Sequence, residues 1–256
     1  MAPLDHLTIQ FSDHRAAIHE TLLAGVQPQC RLSTISIEDY RGFKLSSWAE
    51  SLMASLPYLV RIRLESFVCL AILPSLSQLR HLKSLELNRM SNVEFMESDC
   101  PNLKSLSGAV KHLTNLHSLI ISDCSNIELE NNEGVTVSPW KSLHFLSSLK
   151  LHNLHKLLNL PKEFQYLTSI EFLEIKACDN FEALPEWFNC LTSLQKMSIC
   201  RCYKLKSLPQ AIVHMLSLKN HDLTWNGEDL RKTCRNPDGE DWPKICHIPR
   251  VLIQLE

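Results

Sequence analysis

Hydrophobic and polar positions along this chain recur in a three-step pattern, Leu-x-x-Leu-x-Leu. Its first positions fall at Leu4, Leu32, Leu59, Leu82, Leu116, Leu146, Ile170, Leu194 and Leu218, and the last four are each twenty-four residues apart. With the first position as offset 0, offsets 0, +3 and +5 hold Leu, Ile or Met in every coil except at His221. The intervening offsets +2 and +4 are polar or small except at Ile120 and Phe172. Such alternation is what a strand requires when one face is core and the other is water. A recurring period also means that no coil can bury its own apolar edge, so neighbours must stack to share one core and one long surface.

The pattern predicts an α/β repeat solenoid: a leucine-rich-repeat horseshoe with a parallel concave sheet of about nine short strands. Its convex side should consist of loops and short helical turns. At an interstrand spacing of roughly 4.8 Å, nine strands give a ribbon about 40 Å long before curvature. Offset +8 carries Cys124, Cys178, Cys202 and Asn226, small polar residues that can turn under the strand and bond free backbone groups. Tyr40, Phe67, Met90 and Leu154 stand there in the other coils and mark irregular ones. Leu73-Pro74, Leu160-Pro161, Leu184-Pro185 and Leu208-Pro209 recur at offset +14. Proline has no donor and a fixed φ, so it breaks a ladder and opens the return segment, which makes Glu186 to Leu191 and Gln210 to Leu216 single helical turns. Two segments carry excess length, Ser91 to Leu113 and Glu128 to Pro139, the second an acidic exposed loop. Residues 1–225 thus form one solenoid without a linker, and residues 226–256 a C-terminal capping tail. Trp242 and Ile245 are expected to fold back over the last coil, with His221 marking where that coil loosens.

Charge and chemistry add mostly exclusions. The net charge of −2, with 26 Lys+Arg against 28 Asp+Glu, gives no case for nucleic acid or a membrane surface. No apolar run is long enough to span a bilayer, and Met1 opens onto a coil without a basic-then-apolar leader. No Asn-x-Ser/Thr acceptor and no Gly-x-Ile-Pro occurs, which points to a cytoplasmic or nuclear protein. The ten cysteines permit a disulfide set or a metal site around Cys178, Cys190, Cys200, Cys202, Cys234 and Cys246. The register weighs against it, because Cys202 falls inward and Cys200 outward, so reduced, buried thiols are expected. His152 and His155 lack further ligands at matching spacing and read as solvent-facing. A phosphate-cradling Gly-rich loop, His-Glu-x-x-His and Gly-x-Ser-x-Gly are all missing from the sequence, so an enzyme is not expected.

Several segments carry a resemblance to a known family. They are Leu22-Leu-Ala-Gly-Val-Gln-Pro-Gln29, Leu32-Ser-Thr-Ile-Ser-Ile37, Tyr40-Arg-Gly42, Trp48, Leu56-Pro-Tyr-Leu59 and Leu73-Pro-Ser-Leu-Ser-Gln-Leu79. Together they resemble the repeat region of plant intracellular nucleotide-binding leucine-rich-repeat disease-resistance receptors of the coiled-coil class. The tail Gly239-Glu-Asp-Trp-Pro-Lys-Ile-Cys-His-Ile-Pro249 is similar to the segment that closes many of them. Leu45-Ser-Ser-Trp48 departs from the family, which usually has Phe-Pro before Ser/x-Trp. The resemblance implies a recognition module that senses a pathogen effector or a modified host (guarded) protein and restrains a nucleotide-binding switch. ADP or ATP would sit only on an upstream module, and no cofactor is expected in this chain. Because Leu4-Asp-His-Leu-Thr-Ile9 is already a coil with an open core face, the chain reads as a truncated product or an excised C-terminal piece. The alternative is a free-standing interaction scaffold, such as the substrate-binding repeats of a ubiquitin-ligase adaptor.

Geometry assigns the contact surface. Offsets +2, +4, +6 and +7 should project from the concave face, which selects Arg61, Arg63, Glu65, Glu86, Arg89, Ile120, Lys150, His152, Phe172, Glu174, Lys176, Lys196, Arg201, Asp222 and Trp225. Phe172 and Trp225 lead, being apolar where the pattern requires polar, together with the Arg61/Arg63 cluster, since aromatic and Arg anchors dominate interface energies.

Overall fold

The computed structural model describes residues 5–12, 16–26, 31–43, 56–70, 72–73, 75–76, 78–90, 103–130 and 139–253. Leu4, Trp48, Pro74 and the centres of both over-long segments lie outside the described residues.

Each pattern repeat forms a strand, at offsets +2 to +6 in the first eight coils and +2 to +4 in the ninth. They are β1 (His6–Gln10), β2 (Thr34–Glu38), β3 (Arg61–Glu65), β4 (Ser84–Asn88), β5 (Ser118–Ser122), β6 (Ser148–His152), β7 (Phe172–Lys176), β8 (Lys196–Cys200) and β9 (Asn220–Asp222). All neighbours pair in parallel and in chain order, offset against offset, so Leu149 faces Leu173 and Leu173 faces Met197. That alignment puts the +3 and +5 residues of β2 to β8 into one buried spine, with Ile35, Leu85, Leu149 and Ile199 all fully buried. On β1, Leu7 and Ile9 are only partly buried.

A tenth strand, β10 (Arg250–Leu252), pairs with β9 and corrects the expected count of nine. Its signal is present in the sequence: Ile248-Pro-Arg-Val251-Leu-Ile253 keeps the three-step spacing with Val in the middle position. Ile248 is buried, while Val251 and Ile253 pack partly exposed against the core. The tail before it forms α-helical segments at Glu228–Thr233 and Trp242–Ile245. Ile245 is fully buried and Trp242 packs against the core. Asp241, almost fully buried, accepts the Leu208 amide at 2.9 Å and pairs with Lys244 at 2.6 Å, and Lys244 donates to the Leu208 carbonyl at 2.6 Å. These charge-assisted bonds hold the tail to the coil that starts at Leu194.

His221 does not loosen the last coil. It keeps the core register opposite Met197 and Val251, 1% exposed, and neither ring nitrogen has a hydrogen-bond partner among the described residues. Burial pushes its pKa down to about 3, against a smaller opposing pull from Asp222.

Offset +7 is where each coil leaves the sheet. Asp39, Ser66, Arg89, Asp123, Asn153, Ala177, Arg201 and Trp225 all have φ between 50° and 60°. A left-handed backbone costs a non-glycine residue on the order of 1–3 kcal/mol. From Asp39 to Arg201 it is held by a bond to the next coil: the amide donates to the +6 carbonyl, as in Ser66 to Asn88 at 2.9 Å and Asn153 to Lys176 at 2.8 Å. Immediately behind, every offset +8 residue from Tyr40 to Asn226 is buried. Asn226 donates to the Ile199 carbonyl at 2.6 Å and accepts the Cys202 amide at 2.9 Å. Cys124 donates to the Ser122 carbonyl at 3.2 Å.

The convex side carries one-turn 3-10 segments at Pro139–Ser142, Lys162–Tyr166, Glu186–Cys190 and Gln210–His214. Pro161, Pro185 and Pro209 open the last three, with φ of −53°, −76° and −69°. A ten-residue helix, Ala16–Gly25, follows β1 and was not legible in the repeat pattern. From it, buried His19 stacks on Phe11 with ring centroids 4.5 Å apart and accepts the Arg41 amide at 3.0 Å. No helix among the described residues is long and apolar enough to cross a membrane.

Candidate protein-interaction surface

The concave ribbon is bare of covering structure and charged, yet its charges are not equally available. In its first half, Arg63 pairs with Glu65 at 2.6 Å and with Glu86 at 3.6 Å, and Arg89 reaches Glu65 at 2.7 Å. The Glu65 hydrogen bond, with Glu86 adding to it, holds the Arg63 pKa above its ordinary value. Arg61, the other member of the predicted cluster, is exposed and has no carboxylate within ion-pair distance among the described residues. Ile120 is partly buried on β5.

Phe172, the first leading candidate, is only partly exposed. The ammonium groups of Lys150 and Lys196 lie 5.4 and 5.0 Å from its ring centre, so the negative ring face is already capped by cations. A partner would meet a Lys-Phe-Lys ridge rather than a free ring. Beside it, Glu174 lies 3.6 Å from Lys150 and 3.3 Å from the His152 ring, and Ser122 meets the other His152 nitrogen at 3.4 Å. His155 is exposed on the following turn.

Trp225, the second leading candidate, is 57% exposed at the left-handed turn. It and Arg201 hold the same offset in consecutive coils, and both are exposed. These residues stand at the lip of the ribbon, because the chain turns away from the sheet there. Lys176 and Lys196 are exposed on β7 and β8, and Asp222 accepts the Thr224 amide at 3.1 Å. Over the last strands, Lys196, Asn220, Asp222, Arg250 and Leu252 border a shallow depression.

Several surface residues escaped the offset rule. Arg250 and Leu252 did, because Val251 hid the tenth repeat. Tyr58 and Phe145 are exposed one residue before offset 0, and Tyr203 is exposed at offset +9 beside the lip. Most other coils have small, polar or charged residues at these places, so extending the register by one position before and after the strand would have found them.

The cysteines divide. Burial pushes the thiols of Cys124 and Cys202 up to about 12 and that of Cys178 to about 11, which leaves no reactive thiolate at neutral pH. Cys69 departs from the reduced-thiol expectation: it is disulfide-bonded. Among the described residues no three His, Cys, Asp or Glu side chains gather in a way that could hold a metal.

A family model described as R13L1/DRL21 LRRs matches residues 2–90. No curated protein matches the chain. Among solved structures, it resembles a leucine-rich-repeat domain of the type III effector XCV3220 (XopL), 21% identical, with a TM-score of 0.52 over 82% of this chain and 73% of that one. An internalin C2 from Listeria monocytogenes is 15% identical, with a TM-score of 0.54 over 93% of this chain and 92% of that one. A chain of the Toll–Spatzle complex of Drosophila is 18% identical, with a TM-score of 0.56 over 89% of this chain, which spans 31% of its length. It also spans 63% of the length of an internalin, inlF, from Listeria monocytogenes. Sequential parallel strands in one open sheet, together with these likenesses, make the molecule a leucine-rich-repeat solenoid.

Proposed function

We propose that this chain is the protein-recognition module of a plant innate immune receptor, sensing a pathogen effector or a modified host protein through its concave ribbon. The observation that carries the reading is the match of residues 2–90 to the R13L1/DRL21 repeat model, which covers the stretch in which the disease-resistance motifs were read. In this reading the solenoid also restrains a nucleotide-binding switch module. ADP or ATP would bind that module and not the repeats.

Sequencing the natural transcript upstream of Met1 tests it. A phosphate-binding Gly-x-x-x-x-Gly-Lys-Ser/Thr loop joined in frame to these repeats is the expected result. An upstream adaptor-binding helix pair would instead make the chain the substrate-binding repeats of a ubiquitin-ligase adaptor, and the receptor reading would fall.

A further inference from the structure

The geometry points to a binding surface for an acidic protein segment on the last four strands of the ribbon and the adjoining lip, with Lys196 and Arg250 as its paired cations and Trp225 as its apolar anchor. The inference rests on the recognition role proposed above and narrows it to one part of the surface and one partner chemistry.

Charge is distributed unevenly along the concave offsets. From the coil at Leu32 to the coil at Leu116 they carry three cations and five carboxylates; from the coil at Leu146 through β10 they carry five cations and two carboxylates. Pairing sharpens the contrast. In the first half Arg63 and Arg89 are held by Glu65 and Arg61 alone is unpaired; in the second Lys150 pairs with Glu174, whereas among the described residues no carboxylate lies within ion-pair distance of Lys176, Lys196, Arg201 or Arg250. These four are exposed, so they retain their field for an incoming anion.

The register fixes their spacing. Lys196 and Arg250 both align with Asn220, one on each side. Two interstrand steps separate them by roughly 10 Å. Between them runs the depression bordered by Asn220, Asp222 and Leu252. Two carboxylates about three residues apart on an extended chain would reach both cations. Trp225, with Tyr203 exposed nearby on the same edge, offers the desolvated aromatic area that charge pairs alone lack. A nucleic acid fits less well, because a continuous phosphate backbone crossing the patch must pass Glu174 and Asp222, whereas a peptide can place its carboxylates at Lys196 and Arg250 alone.

The test pans a random 12-residue peptide display library against the purified chain and measures the selected peptides by fluorescence anisotropy at low and high salt. A labelled oligo-dT of equal charge serves as a competing ligand. Peptides rich in Asp and Glu should be selected, and their affinity should fall about tenfold in the Lys196→Glu/Arg250→Glu variant and at high salt. Lys83→Glu, an exposed cation of the first half outside the concave offsets, should leave it unchanged, and melting curves check that each variant is folded. Trp225→Ala should weaken binding without abolishing the salt dependence. Selection of neutral or basic peptides, or of acidic ones indifferent to the double reversal, would overturn this inference while leaving protein recognition standing. Oligo-dT binding as tight as the peptides would overturn it in favour of a nucleic-acid surface. A library that yields no binder counts against both readings.

Discussion

The two halves of the ribbon solve the same stacking problem by different means. Before Leu146 the coils differ in length, and the space under the strand turns is filled mostly by bulk: Tyr40 packs on Phe67 with ring centroids 5.1 Å apart, Met90 follows, and Cys124 is the small exception. From Leu146 onward the spacing is a constant twenty-four residues, and after Leu154 in the first of these coils small Cys178, Cys202 and Asn226 fill the same place while bonding backbone groups of the preceding coil. A large side chain fills this space outright, whereas a small one closes it by hydrogen bonding to the backbone. The surfaces differ in parallel, the first half pairing its cations except Arg61 and the second leaving four of five unpaired. A surface whose charges are already paired is suited to solubility, and one with unpaired cations is suited to binding.

The comparison can be broken most severely in the regular half. Leu173→Asp places a carboxylate in the fully buried spine between Leu149 and Met197 and should cost about 4 kcal/mol or more, seen as loss of a cooperative melt. An unchanged melt would refute the register. Asp241→Ala removes the anchor between tail and solenoid and leaves Lys244 half-buried and the Leu208 amide without its acceptor. It should cost about 2–3 kcal/mol. Hydrogen exchange should quicken in β8 to β10 and remain slow in β3 and β4; uniform loss of protection would show that the ends are not energetically distinct.

Acid should act on the same end. His221 is neutral in the fold, with its pKa at about 3 against 6.5 when unfolded, so below pH 6.5 only the unfolded chain gains this proton. Stability from this group is complete above pH 6.5 and falls by up to about 1.4 kcal/mol per pH unit as pH drops toward 3. His221→Leu should flatten that slope in melts between pH 7 and 5, and an identical slope would exclude His221 as its source. The smallest effect is expected in the first half. Glu65→Gln weakens the pairs to Arg63 and Arg89, both of which are well exposed, and should cost less than about 1 kcal/mol by chemical denaturation. A larger loss would mean that this network holds the irregular coils together.

The legible part of the molecule was the part written with a period. Alternation at offsets 0 to +5 is enforced separately in every coil by the need to hide apolar side chains from water, so the strands, their order and the spine could be read from the chain one repeat at a time. The tenth strand was readable too, in Ile248, Val251 and Ile253, once Val is admitted beside Leu and Ile. The helix Ala16–Gly25 was not, since it occurs in a single coil and its buried His19 finds its partners, Phe11 and the Arg41 amide, far along the chain. Nor did any sequence signal announce the left-handed turns at Arg201 and Trp225, which have poor intrinsic preference for φ near 58°; at Arg201 the amide's bond to the Thr224 carbonyl of the neighbouring coil holds it there. The sequence by itself determined which side chains face inward and which face the ribbon. Which of the outward charges remain free was decided by tertiary structure, because whether Arg89 meets Glu65 or Lys196 faces solvent depends on distances across strands that the linear order does not contain.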